Sequence, residues 1–281
     1  MKKNLFLTTG LLLGAIAGLS SCSNSNTITI CASELPHAKI LNECISDIVK
    51  EDGFKIKVTV IDWTIQNDAV ASKDYDANYF QHIPYLNTYD GDVKLSPACK
   101  VHYEKLCLYA KDVNHKTLQN GDSIEIVNDV SNIERALQLL KANDILDIND
   151  DCYEDGEFKK FDVAKPNSCV TWKEGYENCT LTCIKESNLC ASLPDYDFGI
   201  IPGNTALTGL GSDYASRISF GENPTPSTIS EKANIICVRE ADLNSEKTKT
   251  LVKAFGDARV KTYIETTFGE SVTYAYENLL K

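Results

Sequence analysis

The chain has 281 residues, 43% of them hydrophobic and 24% charged, a composition typical of folded globular proteins and not of disordered or fibrous ones. Single hydrophobic cores stop growing near about 250 residues, so this length predicts one large domain or two ordinary ones. The formal net charge of −12 argues against a nucleic-acid partner, and it identifies no substrate.

The amino terminus has the pattern of an export signal. Lys2 and Lys3 precede an apolar stretch from Leu5 to Leu19, and small residues stand directly before Cys22. The stretch is shorter than the about 20 apolar residues of a membrane-spanning helix, and no later segment approaches that length. We therefore expect cleavage directly before Cys22 and a mature polypeptide that is soluble.

The first predicted unit is strand, helix, strand. Its parts are an apolar-rich run at residues 27–32, a helix with Leu41, Cys44, Ile45 and Ile48 at i, i+3, i+4, i+7 spacing and an end at Gly53, and an alternating strand at residues 55–61. Such a unit is normally a right-handed crossover between parallel strands, and its ligand crevice lies beyond the carboxyl ends of those strands. Residues 33–36 and 62–67 lie at those ends and are predicted to form a binding rim.

A second unit begins with a strand at residues 123–127 and continues into a helix with Ile133, Ala136, Leu137 and Leu140 on its apolar face. Ser131 and Glu134 have the spacing of a capping box. Arg135 stands in the first turn, where free backbone amides favour anions. From the residues alone, Arg135 is either an anion-binding side chain or a surface arginine paired with Glu134 or Asp129.

Ten cysteines follow Cys22, and five of them fall between Cys152 and Cys190. An even number of cysteines in an exported chain favours disulfides, and no pair among these five has the C-x2-C spacing of a structural zinc site. Residues 150–195 also lack helical or strand periodicity. We predict for this cysteine-rich segment irregular loops held by disulfides, and no metal site.

The remainder of the chain has regular periodicity. Apolar runs at residues 196–207 and 233–239 predict buried strands, and apolar residues at helical spacing within 251–255 and 260–264 predict two closing helices. The sequence has no signature of a nucleophile elbow, a metalloprotease, a P-loop or a papain-like cysteine site, so it does not predict an enzyme.

The segment DANYFQHIPYL at residues 76–86 resembles the signature of the MetQ/NlpA family of methionine-binding lipoproteins, which are substrate-binding proteins of ABC importers. Leu-Ser-Ser-Cys at residues 19–22 resembles the lipobox at which bacterial lipoproteins are cleaved and acylated. Further blocks match in the family's order: PHA at 36–38, VHYE at 101–104, LYAK at 108–111, ND at 128–129, Asn132, RAL at 135–137, GN at 203–204, AL at 206–207 and NIICVR at 234–239. Apart from residues 150–195, the resemblance covers most of the mature chain.

The resemblance implies an α/β fold of two lobes, the type 2 periplasmic-binding-protein or Venus-flytrap fold, with hinge strands between the lobes. The expected divisions are a signal peptide at 1–21, a lipidated tether at 22–26, lobe 1 at 27–110 and 231–281, and lobe 2 at 111–230 with the cysteine-rich segment at 150–195. Cys22 would carry acyl chains such as palmitate, although cleavage that leaves a free thiol is the alternative. The chain would then be anchored in the bacterial cell envelope, facing the periplasm or the cell exterior.

The resemblance also implies an amino-acid site between the lobes. The expected residues are Trp63, Phe80 and His82 around the ligand side chain, Arg135 at the carboxylate, and Asn128 and Asn204 at the ammonium and carboxylate ends. These roles suit the residue types, because arginine binds carboxylates through two parallel hydrogen bonds and thioethers make favourable contacts with aromatic edges.

Other residues of the signature are expected to have structural roles. Tyr79 and Tyr85 should pack behind the pocket, and Asp76 and Asn78 should fix the turn. The chain also departs from the family's pattern: Trp63 replaces a usual tyrosine, Gln66 a proline, Ile133-Glu134 the pair Glu-Gly, and Pro202 an asparagine. These departures make the pocket harder to predict than the fold.

The implied function is capture of an amino acid, with methionine expected, and delivery to an ABC permease whose ATPase lies inside the cell. No cofactor, metal or nucleic acid is expected. One alternative is another amino acid or a short peptide as ligand, and a second is a surface lipoprotein that binds a protein partner through residues 150–195. An enzyme that uses His82, His102 or Cys107 is a further hypothesis, which no motif supports.

Overall fold

The computed structural model describes residues 26–280, which form two main β-sheets with helices packed against them. The predicted signal peptide at 1–21, the predicted acylation site Cys22 and the predicted tether up to residue 25 lie outside the described residues. The mixed α/β architecture predicted from the strand, helix, strand units is confirmed.

The described strands, in chain order, are β1 (Thr27–Ala32), β2 (Lys55–Val60), β3 (Ala77–His82), β4 (Leu95–Glu104), β5 (Leu106–Ala110), β6 (Ser123–Val127), β7 (Leu146–Ile148), β8 (Tyr153–Glu154), β9 (Glu157–Phe158), β10 (Val170–Trp172), β11 (Thr180–Ile184), β12 (Phe198–Pro202), β13 (Ile218–Gly221), β14 (Asn234–Arg239) and β15 (Val272–Asn278). The α-helices are α1 (Ser46–Glu51), α2 (Gln66–Ala71), α3 (Ile83–Leu86), α4 (Val130–Ala142), α5 (Glu186–Ser192), α6 (Gly203–Gly209), α7 (Pro226–Lys232), α8 (Glu246–Phe255) and α9 (Ala258–Phe268). Helical turns at Glu34–Ala38 and Leu41–Ile45 lead into α1.

The first sheet has the strand order β15-β4-β14-β3-β1-β2. β1 pairs in parallel with β2 and β3, whereas β14 runs antiparallel between β3 and β4. Ile28, Ile30, Leu41, Tyr79 and Phe255 are fully buried in one core of this lobe. The parallel pair β1 and β2, with the helix between them, confirms the first predicted unit, because the apolar face of that helix packs onto the sheet.

The second sheet has the order β11-β6-β12-β5-β13. β6 lies in parallel between β11 and β12, and β5 runs antiparallel between β12 and β13. Leu106, Ile124, Ile126, Leu137 and Phe198 are fully buried in its core. The second predicted unit is therefore confirmed as β6 followed by α4.

The start of α4 differs from the prediction. The predicted capping box of Ser131 and Glu134 does not form; Asp129 is the cap, and its Oδ1 accepts a hydrogen bond from the backbone N–H of Asn132 at 3.0 Å. Ser131 donates to the same oxygen at 2.8 Å. Aspartate is as good a cap as serine, so the helix begins two residues before the position that the Ser131 spacing predicts.

Two segments connect the lobes. Lys105 separates β4 of the first sheet from β5 of the second, and residues 222–233 lead from β13 back to β14. The predicted boundary at residue 110 is therefore a few residues late, because β5 already pairs with strands of the second sheet.

The cysteine-rich segment is more regular than predicted. β11 joins the second sheet beside β6, β7 pairs with β10, β8 pairs with β9, and α5 follows β11. Periodicity failed as a signal here because strands of two to five residues are too short to display it. The segment is part of the second lobe, since its Cys152, Phe158 and Cys169 are buried in the core of that lobe.

One disulfide, Cys152–Cys169, forms among the described cysteines. The other described cysteines are free thiols: Cys31, Cys44, Cys99, Cys107, Cys179, Cys183, Cys190 and Cys237. Burial raises the pKa of the Cys31 thiol to about 12 and that of the Cys107 thiol to about 11, so both are uncharged at neutral pH. The prediction of disulfides in the cysteine-rich segment is confirmed for Cys152–Cys169 alone, and its other cysteines Cys179, Cys183 and Cys190 are free.

The predicted strand at residues 196–207 ends earlier. β12 stops at Pro202 and α6 begins at Gly203. Pro202 has no N–H to donate to a neighbouring strand, and the N–H of Asn204 donates to Oε2 of Glu104 at 2.5 Å. The chain therefore turns into a helix beside the first lobe.

We expect the Cys152–Cys169 disulfide to stabilise the second lobe. It closes a loop with a sequence separation of 17, and a loop of this length corresponds to about 3 kcal/mol. The double variant Cys152→Ala with Cys169→Ala, made in the chain from Ser23 onward, should lose about that much free energy of unfolding in urea. Cys183→Ala is the control, because Cys183 is a half-buried free thiol of the same segment; equal unfolding midpoints for the three proteins would contradict the expectation.

Candidate ligand-binding site

A cavity lies between the two sheets, and side chains of both lobes line it. Its empty space, including open solvent at the mouth, is about 540 Å³. The first lobe contributes Ser33, Trp63, Phe80, Gln81, His82, Tyr85, Glu104 and Asn234; the second contributes Asn132, Arg135, Glu186, Pro202, Gly203 and Asn204. We call this space the inter-lobe cavity.

The structure brings five of the six predicted site residues to the inter-lobe cavity: Trp63, Phe80, His82, Arg135 and Asn204. Asn128 does not line it. It is an exposed residue just before the cap of α4, and Asn132, one turn into the helix, takes the place at the cavity. The predicted binding rim is represented by Ser33 and Trp63, at the carboxyl ends of β1 and β2.

Three aromatic side chains form one wall of the inter-lobe cavity. The ring of Tyr85 lies 5.4 Å from the ring of Trp63 and 5.7 Å from that of Phe80, both in edge-to-face geometry. Tyr85 was expected to pack behind the pocket, but the turn into α3 places it on the cavity surface. Tyr79 does pack behind, fully buried and hydrogen-bonded to His102.

The turn from β3 into α3 orients His82. Its Nδ1 accepts a hydrogen bond from the backbone N–H of Tyr85 at 3.0 Å, which caps the short helix, and Pro84 stands in the first turn. The other nitrogen, Nε2, lies 3.4 Å from Oδ1 of Asn132 across the cavity. Burial, together with the charge of Arg135, lowers the pKa of His82 to about 4. The imidazole is therefore neutral at pH 7.

Arg135 is buried, and two of its guanidinium nitrogens are hydrogen-bonded within the protein. Its Nε and Nη2 donate to the two carboxylate oxygens of Glu222 at 2.6 and 2.5 Å, and Nη2 also donates to the carbonyl oxygen of Glu104 at 2.7 Å. Although burial opposes its charge, these contacts raise the pKa of Arg135 above its ordinary value. The surface pairing with Glu134 or Asp129, left open by the sequence, does not occur.

Glu222 holds this arginine from the segment that returns to the first lobe. One of its oxygens, Oε2, also accepts from the backbone N–H of Leu106 at 2.9 Å and from the hydroxyl of Tyr103. Burial opposes the charge, but the hydrogen bonds and charge of Arg135 hold the pKa of Glu222 below its usual value. The guanidinium thus has a permanent counter-charge beside the cavity.

A buried hydrogen-bonded chain lies beneath the inter-lobe cavity. Nε2 of His102 bonds to Oε1 of Glu104 at 2.6 Å, and Nε2 of His37 lies 3.6 Å from the same oxygen and 3.0 Å from Oδ1 of Asn234. Burial lowers the pKa of His37 to about 4 and that of His102 to about 3, and it raises the pKa of Glu104.

The same three residues have the composition of a metal-ligand set. One atom each of His37, His102 and Glu104 lies within 4.8 Å of the other two. However, Nε2 of His102 is hydrogen-bonded to the glutamate, and its Nδ1 is bonded to Tyr79. Two ligands of one metal ion do not bond to each other, so the geometry is that of a hydrogen-bonded network.

Glu186 reaches the inter-lobe cavity from the start of α5. Its Oε1 accepts a hydrogen bond from the hydroxyl of Thr205 at 2.5 Å. Burial, together with the negative charges of Asp129, Glu104 and Asp62, raises the pKa of Glu186 to about 7. No sequence signal distinguished this glutamate from the other acidic residues of the chain.

Other lining residues were also missed. Asn132 could have been found, because it stands one turn before Arg135 and i, i+3 positions share a helix face. Glu104 and Asn234 belong to blocks that carry the family resemblance. Because both lie far in sequence from DANYFQHIPYL, the sequence did not show that they line the same cavity as that segment.

Within residues 26–280, no helix is long and apolar enough to cross a membrane.

The chain is similar to proteins with known names and structures. The methionine-binding lipoprotein MetQ of Bacillus subtilis is 30% identical to it, over 96% of this chain and 98% of that protein. A nutrient binding protein from Burkholderia cenocepacia, solved bound to methionine, superposes with a TM-score of 0.77 at 25% identity, over 88% of this chain and 99% of that one. A periplasmic substrate-binding protein of an ABC transporter from Coxiella burnetii shares the fold, with a TM-score of 0.74 at 23% identity, over 88% and 100% of the two chains.

These similarities confirm two expectations, the two-lobed fold and the family resemblance. All three names describe binding proteins or lipoproteins rather than enzymes. The family model described as NlpA lipoprotein matches residues 28–276, nearly the whole described chain. The chain therefore belongs to the NlpA lipoprotein family.

Proposed function

We propose that the chain captures an α-amino acid, with methionine as the leading ligand, between its two lobes and delivers it to an ABC permease in the membrane. The observation that carries this proposal is the inter-lobe cavity, which combines an aromatic wall from the first lobe with a buried arginine from the second. An amino acid has one apolar and one charged end, and the two walls match those ends.

The apolar end suits a thioether. Trp63, Phe80 and Tyr85 line the cavity together, and a sulfur–aromatic contact contributes about 0.3 to 1.5 kcal/mol. His82 is neutral at pH 7, so it adds a polarisable ring without a charge that would repel an apolar side chain.

The polar end suits a carboxylate. The guanidinium of Arg135 and the side-chain amide of Asn204 line the inter-lobe cavity. The indole Nε1 of Trp63 is buried without a partner within residues 26–280. These donor groups border one cavity, and carboxylate oxygens accept hydrogen bonds from such groups.

The relatives support methionine and the transport role. The Bacillus subtilis protein is named for methionine binding, and the Burkholderia protein was solved with methionine bound. The Coxiella neighbour is described as part of an ABC transporter, and its shared fold supports our proposal that the partner is an ABC permease. In our proposal, Cys22 carries the lipid anchor, and the permease works with an ATPase on the cytoplasmic side.

Closure of the lobes would enclose the ligand. Within residues 26–280, the chain crosses between the two sheets only at Lys105 and at residues 222–233, and connections of this kind permit hinge motion around a ligand. The closed form is the state that we propose to be delivered to the permease.

Calorimetry should identify the ligand. The chain from Ser23 onward, refolded to strip any bound molecule, should release heat with L-methionine at one ligand per chain, because the aromatic wall and Arg135 line the same inter-lobe cavity. The other standard amino acids, D-methionine and short methionine peptides form the comparison set. Binding of a different member would replace methionine as the ligand, and no heat with any of them would reject the proposed function.

Phe80→Ala should weaken methionine binding about 2- to 10-fold, the size of one lost sulfur–aromatic contact. Phe268→Ala is the matched control, since Phe268 is also half-buried and in edge-to-face contact with a tyrosine, Tyr263, but lies away from the cavity. Titration calorimetry measures both affinities, and thermal unfolding checks both folds. Equal affinities of the two variants would show that the aromatic wall does not contact the ligand.

A further inference from the structure

We propose that Glu186 holds the ammonium group of the ligand, and that the site therefore requires a positively charged amine more strongly than it requires a carboxylate. This inference rests on the proposed function, because it assigns the group that recognises one end of the captured amino acid. It concerns a residue outside the family signature, on the helix that follows the cysteine-rich loops.

Three glutamates stand at or beside the inter-lobe cavity, and two of them are already engaged. Both oxygens of Glu222 bond to Arg135. Oε1 of Glu104 bonds to His102 at 2.6 Å, and its Oε2 accepts from the N–H of Asn204 at 2.5 Å. Neither carboxylate has an oxygen free of protein partners to offer to a ligand.

Glu186 differs from both. Thr205 donates to its Oε1 at 2.5 Å, which fixes the carboxyl group against α6. Its Oε2 has no hydrogen-bond partner among the described residues, and none of their cations lies within ion-pair distance of it. Glu186 lines the inter-lobe cavity, so this oxygen is the available anionic acceptor there.

Arg135, the cation that lines the cavity, already has a counter-charge. It is paired with Glu222, and Lys232 shares that carboxylate at a distance of 4.0 Å. The three buried histidines are neutral at pH 7, because burial holds the pKa of each of them at about 3 to 4. A ligand carboxylate therefore meets a neutralised arginine, whereas a ligand ammonium meets an unpaired glutamate. The charge that this site selects is the ammonium.

The surroundings of Glu186 make this contact dependent on pH. The titratable groups that act on it are Asp62 after β2, Tyr85 of α3, Glu104 of β4, Asp129 before α4 and Cys190 of its own helix. Tyr85 and Cys190 stay uncharged near neutrality, since burial raises the pKa of both. Burial and the acidic neighbours raise the pKa of Glu186 to about 7. Its ionised form therefore increases between pH 6 and pH 8, and the affinity for an ammonium should increase with it.

The experiment compares three ligands and two substitutions at one position. The ligands are L-methionine, 3-(methylthio)propylamine, which keeps the ammonium and lacks the carboxylate, and 4-(methylthio)butanoate, which keeps the carboxylate and lacks the ammonium. Calorimetry at pH 8 should give the wild-type chain a higher affinity for the amine than for the deaminated acid. Glu186→Gln should weaken binding of methionine and of the amine about 10- to 100-fold, the range of a lost charged hydrogen bond, and change binding of the acid by less than about twofold.

Two further readouts separate ammonium binding from a general structural role. Between pH 6 and pH 8 the affinity of the wild-type chain for methionine should rise, while that of Glu186→Gln should stay constant. Glu186→Asp keeps the charge and should retain the preference for the amine over the acid. Glu246→Gln is the matched control, because Glu246 is also the first residue of a helix but is exposed and away from the cavity; its affinities should equal those of the wild type.

The outcomes distinguish this inference from the proposed function. Wild-type binding of methionine with no loss in Glu186→Gln, or equal wild-type affinities for 3-(methylthio)propylamine and the acid, would overturn the role of Glu186 and leave the capture function standing. No wild-type binding of any amine-bearing ligand would overturn both. If Glu186→Gln fails to unfold cooperatively, the ligand preference and pH profile of the wild type and of Glu186→Asp decide the question.

Discussion

The ion pair between Arg135 and Glu222 is the interaction on which the inter-lobe site depends. A guanidinium removed from water needs a counter-charge and filled hydrogen bonds, and Glu222 supplies both from the segment that returns to the first lobe. The same carboxylate accepts from the N–H of Leu106, directly after the other crossing at Lys105. One side chain therefore ties both inter-lobe connections to α4, so the position of the arginine and the geometry of the hinge are set together.

This pair also sets the charge that the cavity presents. Because Glu222 already supplies a counter-charge to Arg135, we expect the guanidinium to orient a ligand by hydrogen bonding more than to attract it by net charge. Both carboxylate oxygens of Glu104 are likewise hydrogen-bonded, one to His102 and the other to Asn204. Two polar groups at the cavity have unused hydrogen-bonding capacity within residues 26–280. They are the indole N–H of Trp63 and one carboxylate oxygen of Glu186. An amino-acid zwitterion is the simplest ligand that fits this set.

Much of the fold could be predicted because it is encoded in short-range patterns. The spacing of Leu41 and Ile48 predicted a buried helix face, and DANYFQHIPYL correctly placed Phe80 and His82 at the cavity. Predictions failed where a local pattern had two solutions. Asp129 and Ser131 are both good caps, and the structure uses the first. The apolar run from residue 196 continues in character past Pro202, but the missing N–H of the proline ends the strand.

The sequence by itself determined the family, the two α/β units and most of the aromatic wall, because these depend on residue spacing within some ten to twenty positions. Only the tertiary structure decided which charges meet. Arg135 and Glu222 are 87 residues apart, and Asn204 and Glu104 are 100 apart. No periodicity relates such residues, since their contact follows from how the strands order within two sheets and how the sheets face each other. The groups that we propose to recognise the ligand's charged end are therefore brought together only after the chain has folded.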